Sequence, residues 1–399
     1  MTVVISGTNG VSGVAGSAST PSLVGSDADS GFYINSANEP NASVNGTAVW
    51  NAASTFGFKN RLINGGMTID QRNAGASITP SVNPTYGLDR WENRFSVASK
   101  YSVVQSSTAP AGFVNSMLYT STSAYSVGAS ETFYFNQKIE GFNCADLGWG
   151  TANAKTVTLS FWVRSSLTGT FGGAIKNSDS TRNYAFSYTI SAADTWEYKT
   201  VTIAGDTTGT WLTTNGTGIR VVFSLGSGSN QSTTAGSWGS DSIFSATGAV
   251  SVVGTNGATF YITGVQLEKG STATSFDFRS YGTELALCQR YLPCFNATST
   301  GAKVGIGFAG STTQTYVYYQ FPVTTRVPPT GISVSSVSNF TVNPYTGTGG
   351  TATLIAFVDA GVQECRIQAN STGLVAGAGM ELTPNTSSAT QIQFTGCEL

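Results

Sequence analysis

Alternation of apolar and polar residues with a period of two constrains the fold of this chain more than any other feature. Apolar residues occupy every second position over 157–163, and the same alternation recurs over 184–190, 219–225 and 316–323. Successive side chains of a strand point to opposite faces, so these runs of β-branched and aromatic residues predict half-buried strands. Gly- and Asn-rich stretches separate them. The pattern predicts an all-β protein of β-sandwich or jelly-roll architecture.

Two local features interrupt the strand pattern. A change of phase near Thr200 predicts a β-bulge in the strand that contains it. The stretch TELALCQRYL, which runs from Thr283 to Leu292, is the best helix candidate. Thr283 is expected to cap this helix and Pro293 to end it.

The composition excludes several functional classes. The chain has 399 residues without a single His, so His-based metal sites and Ser-His triads are excluded. Charged residues make up only 10%, and 19 basic residues stand against 21 acidic ones, which removes the electrostatic basis for binding nucleic acid. No apolar run approaches a membrane-spanning length, and the N-terminus does not resemble a secretory signal. We therefore expect no cofactor, no metal, no nucleic-acid partner and no membrane insertion.

The charge distribution suggests where the domains lie. The first basic residue is Lys59, and the segment 1–56 is poor in large apolar residues. Burial in such a segment cannot offset its chain entropy, so we expect it to be either disordered or ordered by packing against copies of itself or a partner. The predicted organisation is an N-terminal oligomerising segment (1–56), a central β-sandwich or jelly roll (57–280), a helical hinge (281–294) and a C-terminal β-sandwich-like tip domain (295–399).

The five cysteines are odd in number and form no CxxC pair, so the sequence predicts buried free thiols rather than a zinc site or a disulfide scaffold. Two carboxylate pairs need a separate interpretation. Asp89 and Glu92 bracket one Trp, and Asp194 and Glu197 bracket another. Two carboxylates are the minimum for glycoside hydrolysis, but nothing besides local spacing marks these pairs, so we predict structural roles for them.

Aromatic residues are the best candidates for ligand contact, because Trp and Tyr rings stack on the C–H faces of sugars; packing in a core or interface is the alternative. Trp162 is out of phase with its apolar neighbours and shares a face with Arg164. The glycan-binding candidates are Tyr316, Tyr318 and Tyr345 in the C-terminal region, which we expect to hold the primary contact, and Trp162, Arg164, Trp211 and Trp238 as the competing central site. Trp211 and Trp238 are expected in loops.

Several stretches together resemble a phage tail-fibre module. It opens with KNRLINGGMTIDQRNAG (59–75) and YGLDRW (86–91), continues through TVTLSFWVRSS and GATFYITGVQLEKGSTATSF, and closes with YGTELALCQRY (281–291). The stretch SGTNGVSGVAGSASTPSLVGSDADSGFYI (6–34) is similar to the N-terminal motif of marine and cyanobacterial phage tail fibres. The strands TVTLSFWVRS and FYITGVQLE also resemble those of jelly-roll carbohydrate-binding modules.

The resemblance implies a virion protein of the phage tail, made in the host cytoplasm. It implies a homotrimer that joins other tail proteins through residues 1–56 and attaches to a host-surface glycan without catalysis. Two alternatives remain: a tailspike depolymerase that hydrolyses host polysaccharide, and a purely structural tail or capsid-decorating protein.

Overall fold

The computed structural model describes residues 4–6, 10–12, 17–24, 28–34, 40–51, 58–345, 349–385 and 390–399. The described chain forms two compact units. The first unit holds the described residues up to Thr68, together with Gly75–Gly87 and Trp91–Phe278, and the second holds Ile69–Ala74, Leu88–Arg90 and Arg279–Leu399. These units differ from the predicted boundaries (57–280, 281–294 and 295–399), because two short mid-chain segments and the helix belong to the second unit. The predicted boundaries stay a prediction.

The N-terminal strands form two small sheets. Their bounds are β1 (Val4–Ser6), β2 (Gly10–Ser12), β3 (Leu23–Val24), β4 (Gly31–Ile34), β5 (Pro40–Val44) and β6 (Thr47–Asn51). β1 pairs with β2, and β3 to β6 form an antiparallel sheet in chain order. Other parts of the predicted oligomerising segment, namely 1–3, 7–9, 13–16, 25–27, 35–39 and 52–56, lie outside the described residues.

Fourteen further strands of the first unit follow. They are β7 (Thr85–Leu88), β8 (Trp91–Phe95), β9 (Tyr101–Ser106), β10 (Ser116–Ser121), β11 (Thr132–Glu140), β12 (Val157–Ser165), β13 (Gly169–Lys176), β14 (Asn183–Ile190), β15 (Glu197–Ile203), β16 (Thr217–Ser227), β17 (Ser232–Thr233), β18 (Trp238–Gly239), β19 (Ser245–Ala246) and β20 (Thr259–Lys269). Short 3-10 helices lie at Gly141–Asn143, Ala145–Leu147 and Ser229–Gln231.

These strands build a β-sandwich. One sheet has five strands in the order β15-β12-β20-β10-β9, and the other has seven in the order β18-β14-β13-β16-β11-β8-β7. Aromatic rings join the two sheets across the core: Phe161 of β12 lies 5.1 Å from Phe223 of β16, and Tyr119 of β10 stacks on Phe135 of β11 at 4.7 Å. Such interdigitating inner faces are typical of a packed sandwich, so the all-β prediction is confirmed.

The second unit contains the α-helix and a second pair of packed sheets. Its elements are α1 (Tyr281–Gln289), β21 (Cys294–Asn296), β22 (Gly305–Ala309), β23 (Gln314–Gln320), β24 (Gly331–Val334), a 3-10 helix (Val337–Asn339), β25 (Phe340–Pro344), β26 (Gly350–Thr351), β27 (Leu354–Ala360), β28 (Glu364–Asn370), β29 (Gly379–Pro384) and β30 (Gln391–Thr395). A seven-stranded sheet, β26-β25-β29-β22-β23-β28-β27, packs on the three-stranded sheet β21-β30-β24. The stacked rings of Tyr319 and Phe394, 4.8 Å apart, join them.

The predicted bulge near Thr200 is wrong. The pairing of β12 with β15 runs unbroken from Val157 opposite Ile203 to Val163 opposite Glu197. The irregularity lies instead on the other side of β12, between Ser160 and Trp162, where β20 pairs with it.

The helix prediction is correct in place and wrong in its cap. α1 begins three residues earlier than expected, and Ser280 is its N-cap, with a side chain that accepts from the amide of Thr283. The helix ends at Gln289, before Pro293. All five cysteines are buried and free, as expected from their spacing.

Candidate functional site

The outer face of the five-stranded sheet carries the candidate site. Along β12 the inward residues Phe161 and Val163 are fully buried, whereas Trp162 and Arg164 alternate with them on the outer face and are half-buried. Directly paired residues share a face, and Trp162 lies opposite Tyr198 while Arg164 lies opposite Tyr261. The strand register therefore gathers residues that are far apart in sequence.

Four aromatic rings form what we call the aromatic platform: Trp162, Trp196, Tyr198 and Tyr261. Trp162 and Tyr198 have ring centroids 5.3 Å apart, and Trp196 meets Tyr261 edge to face at 6.0 Å. All four are half-buried or exposed, and Tyr198 has an exposed fraction of 43%. The platform offers ring faces together with the phenol groups of two tyrosines, the combination that suits stacking with adjacent hydrogen bonding.

An ion pair borders the platform. Arg164 Nη2 lies 3.2 Å from Asp194 Oδ1, and the guanidinium carbon lies 5.1 Å from the centre of the Tyr261 ring. The ring and the carboxylate together hold the guanidinium in place, because cation–π and ionic contacts act on the same group. Arg164 thus supplies oriented donors next to the rings.

Gly264 allows the aromatic surface to continue beyond Trp162. This residue of β20 has a φ of +63°, and a Cβ placed there would lie 2.7 Å from the Phe113 ring and 3.2 Å from Trp162 Cδ1. Phe113 in turn packs on Phe276 at 5.1 Å and on Phe278 at 5.2 Å. Glycine is required here both for the backbone conformation and for the close approach of the two rings.

The candidate Trp211 lies in a loop, as the sequence predicts, but its side chain is buried. It is 9% exposed and packs edge to face against Trp149 at 4.7 Å and Trp238 at 5.5 Å. The indole N–H groups of all three donate to backbone carbonyls, those of Lys155, Thr208 and Ala204. This cluster joins three chain segments, and burial leaves Trp211 no free ring face for stacking. Trp238 is half-buried, in β18, beside Arg182.

The C-terminal candidates lie on the outer face of the seven-stranded sheet of the second unit. Tyr318 is exposed and Tyr316 half-buried, whereas Val317 between them is fully buried, as the alternation predicts. Tyr316 lies 6.3 Å from Phe308, and Tyr318 pairs with the exposed Ile306. Three aromatic rings and one aliphatic side chain therefore share this face. Tyr345 lies at the end of β25 and is 88% exposed.

Each of the four carboxylates that could suggest hydrolysis is held in a structural contact. Asp89 is buried and accepts from the backbone and side-chain amides of Gln71. Glu92 is buried among Arg94, Lys138 and Asn136, and these partners hold its pKa below the usual range against the opposing effect of burial. Asp194 pairs with Arg164, and Glu197 pairs with Lys199.

The part of the chain that the structure describes contains no group of three or more His, Cys, Asp or Glu residues placed to hold a metal ion. Among the same residues, no helix has both the length and the apolar character needed to cross a membrane.

No protein-family model matches the chain, and no curated protein sequence matches it. Among solved structures, a putatively named sugar-binding protein from Bacteroides thetaiotaomicron aligns at a TM-score of 0.32 and 14% identity, over 53% of this chain and all of the other. A family 61 carbohydrate-binding module in complex with β-1,4-galactotriose aligns at 0.29 and 11%, over 53% of this chain and 99% of the module. The enzymatically active domain of tailspike protein 4 of bacteriophage CBA120 aligns at 0.29 and 12%, over 53% of this chain. The match spans only 21% of that tailspike chain. None reaches a TM-score of 0.5, so no function is taken from these likenesses.

Proposed function

We propose that this protein is a phage tail fibre or spike protein that binds a host-surface glycan through the aromatic platform and does not cleave it. The observation that carries the proposal is the row of solvent-accessible rings of Trp162, Trp196, Tyr198 and Tyr261 on one open sheet face. Apolar ring faces at a water-exposed surface suit the C–H faces of a sugar, and the neighbouring Arg164 and tyrosine hydroxyls suit its oxygens.

The contacts made by the carboxylates support the proposal that the protein does not cleave the glycan. Glycoside hydrolysis needs two carboxyl groups on either side of one bond, one of them able to donate a proton. Next to the platform, Asp194 pairs with Arg164, and Glu197 accepts from the amides of Ser191 and Ala192 as well as pairing with Lys199. These partners lower the pKa of Glu197, its Lys199 hydrogen bond contributing most, so it is ionised at neutral pH and unsuited to act as a general acid.

The virion location and the homotrimer are part of the same proposal. They rest on the resemblance of 59–291 and 6–34 to tail-fibre sequences, and one structural observation supports the trimer. The sheet formed by β3 to β6 leaves six large apolar side chains exposed: Leu23, Val24, Phe32, Ile34, Val44 and Val49. Several exposed apolar side chains on one small sheet favour packing against further chains. Copies of this chain, with other tail proteins joined through residues 1–56, would cover them.

The decisive experiment compares glycan binding and host adsorption for Trp162→Ala and a triple variant of Tyr316, Tyr318 and Tyr345 to Ala. Loss of one stacking ring should weaken binding by about 1–2 kcal/mol, roughly tenfold, for Trp162→Ala alone. If only the triple variant loses adsorption, the receptor site lies in the C-terminal region instead. Normal adsorption by both variants would favour the structural alternative, and release of reducing ends from host polysaccharide would establish the depolymerase.

A further inference from the structure

The helix α1 places three side chains along one wall of a cleft in the second unit. Tyr281, Leu285 and Gln289 are four residues apart, so they follow one another on a single helical face. With the segment 69–74 and residues of β21 and β30 they enclose about 650 Å³, within the usual size range of small-ligand sites. The other residues that line the cleft are Cys294, Asn296, Ala297, Thr298, Ser335, Thr390 and Gln391.

Amide groups form a fixed polar wall on one side of this cleft. Gln391 Nε2 donates to the Gln71 carbonyl oxygen at 2.5 Å and to Asn296 Oδ1 at 2.6 Å. Its Oε1 accepts from Gln393 Nε2 at 2.6 Å. These contacts join the side-chain amide of Gln391 to other groups of the protein. Gln391 therefore orients the side chain of Asn296, and Asn296 is the residue that can contact a ligand.

Gln71 forms the floor of the cleft, and hydrogen bonds to neighbouring residues hold it in place. The backbone and side-chain nitrogens of Gln71 donate to the buried Asp89 carboxylate at 2.6 and 2.9 Å. Gln289 Nε2 lies 3.5 Å from Gln71 Oε1, which links the helix to the floor. A binding surface supported in this way is already ordered before a ligand arrives, and this lowers the entropic cost of binding.

Several groups remain to contact a ligand. The side-chain nitrogen Nδ2 of Asn296 has no partner in the described part of the chain, and Asn296 and Thr298 are both exposed. The Ser335 hydroxyl accepts from the backbone N–H of Gln391 at 3.0 Å and keeps its own proton to donate. At the rim, the Tyr281 ring is 66% exposed. Donors, acceptors and one open aromatic face therefore converge on the same space.

The charges around the cleft are already paired. Arg72, which is the only basic residue among the lining residues that the structure describes, forms an ion pair with Glu398 at 2.7 Å. The Asp70 carboxylate accepts from the backbone amide of Asn73 at 3.0 Å. An anionic ligand would require uncommitted Arg or Lys side chains, so the lining favours a neutral, hydroxyl-rich molecule.

We propose that this cleft is a second saccharide site, which binds a neutral mono- or disaccharide by stacking on Tyr281 and by hydrogen bonds from Asn296, Thr298 and Ser335. The site shares no residue with the aromatic platform, and it does not depend on the function proposed for that surface. A protein with both sites would hold a glycan, or two neighbouring glycans, at two points.

The test uses the full-length protein and saturation-transfer NMR with a panel of neutral mono- and disaccharides and of uronic-acid and sialic-acid analogues. The proposal predicts that at least one neutral sugar binds and that Tyr281→Ala and Asn296→Ala each weaken binding by about five- to tenfold. Val375→Ala is the control, since it removes an exposed side chain of the same unit that lies outside the cleft and is not a glycan-binding candidate. Circular dichroism checks that each variant is folded.

Three results would overturn the proposal. One is that no neutral sugar of the panel binds the wild-type protein. Another is that only the acidic sugars bind. The third is that binding is lost in Trp162→Ala and kept in Tyr281→Ala, which would assign the signal to the aromatic platform. Conversely, if Trp162→Ala has no effect on host adsorption, the sugar binding expected at the cleft is unchanged. The two proposals can therefore be refuted separately.

Discussion

At the scale of single residues, Asp89 is the clearest case of a group whose chemistry is set by burial. The side chain is fully enclosed, and this raises the pKa of its carboxyl to about 6, although Arg72 and the amides of Gln71 oppose the shift. Glu398, which forms ion pairs with both Arg72 and Arg90, reinforces the increase in pKa. The floor of the cleft therefore rests on a carboxylate that titrates in a mildly acidic range.

This pKa leads to a prediction for Asp89→Asn. Because the folded state binds the proton more tightly than the unfolded chain, protonation of Asp89 contributes to stability at low pH. This contribution is lost as the pH rises from about 4 to above 6, because ionisation of Asp89 disfavours folding. We expect the unfolding free energy of the wild type, relative to Asp89→Asn, to fall by about 2–3 kcal/mol across this window. Urea titrations at pH 4, 5, 6 and 7 measure it. A difference that is constant with pH would contradict the shift in pKa.

The site residues show what could be predicted from one sequence. Alternation along 157–163 was enough to place Trp162 and Arg164 outward, because period 2 is a local property of the chain. Trp196 and Tyr261 were not predicted as their neighbours, since strand register is set by distant pairing. The alternation of FYITGVQLE does place Tyr261 on the outer face, and this signal could have found it. The burial of Trp211 in its loop was not predicted, because Trp149 and Trp238 cover it from other segments.

At the scale of secondary structure, the strands were predicted well and the irregularities were not. The alternating runs correspond to β12, β14, β16 and β23. The bulge was expected near Thr200, but β15 keeps one phase from Glu197 to Ile203. Trp196 and Tyr198 lie on the outer face of the sheet, whereas Ile203 points inward. The real irregularity, opposite Trp162, brings Gly264 to positive φ and lets the amide of Val265 donate to Gly65. A lone Gly in a strand is the sequence signal that suggests such a bulge.

Gly264 gives the prediction at this scale. Gly264→Ala should destabilise the protein by about 2–3 kcal/mol, because alanine is strained at this φ and its Cβ would displace the Phe113 ring. It should also weaken glycan binding, since Trp162 packs against the same position. Chemical denaturation and glycan titration measure the two effects.

Gly257→Ala is the matched control for that experiment. Gly257 also has a positive φ, of +74°, but a Cβ there meets nothing within 4 Å. Only the backbone cost, about 1 kcal/mol, is then expected, and binding should be unchanged. Equal destabilisation by the two substitutions would mean that the close approach of Phe113 and Trp162 over Gly264 has no energetic importance.

At the scale of the whole molecule, the exposed side chains of the N-terminal sheet predict the state of assembly. We expect the full-length protein to be a homotrimer by light scattering. Phe32→Ser combined with Val44→Ser should shift it toward monomer, because both side chains are exposed on this sheet and lose apolar surface. Deleting residues 1–56 should leave a folded sandwich that trimerises less well. Val375→Ser, at another exposed apolar position, is the control. A monomeric wild-type protein would refute this prediction.

The way the chain divides into two compact units could not be predicted from the sequence. Helix signals located α1, because they are properties of one continuous segment, whereas the boundary that composition predicts after residue 56 stays a prediction. The second unit is assembled from three stretches, and the segments 69–74 and 88–90 belong to it through contacts such as that of Gln391 with Gln71. No local sequence pattern predicts a contact between residues more than 300 positions apart.

The pairing of Glu398 with Arg72 and Arg90 has a consequence for how the protein is made. These partners are separated by 326 and 308 positions. A ribosome releases Arg72 and Arg90 long before Glu398, so the second unit cannot complete its buried charge network until translation has nearly reached residue 399. Contacts of such long sequence separation slow folding. Prematurely terminated chains would lack the Glu398 carboxylate that Arg72 and Arg90 contact, and a second unit without this stabilisation is recognised more readily by chaperones and proteases.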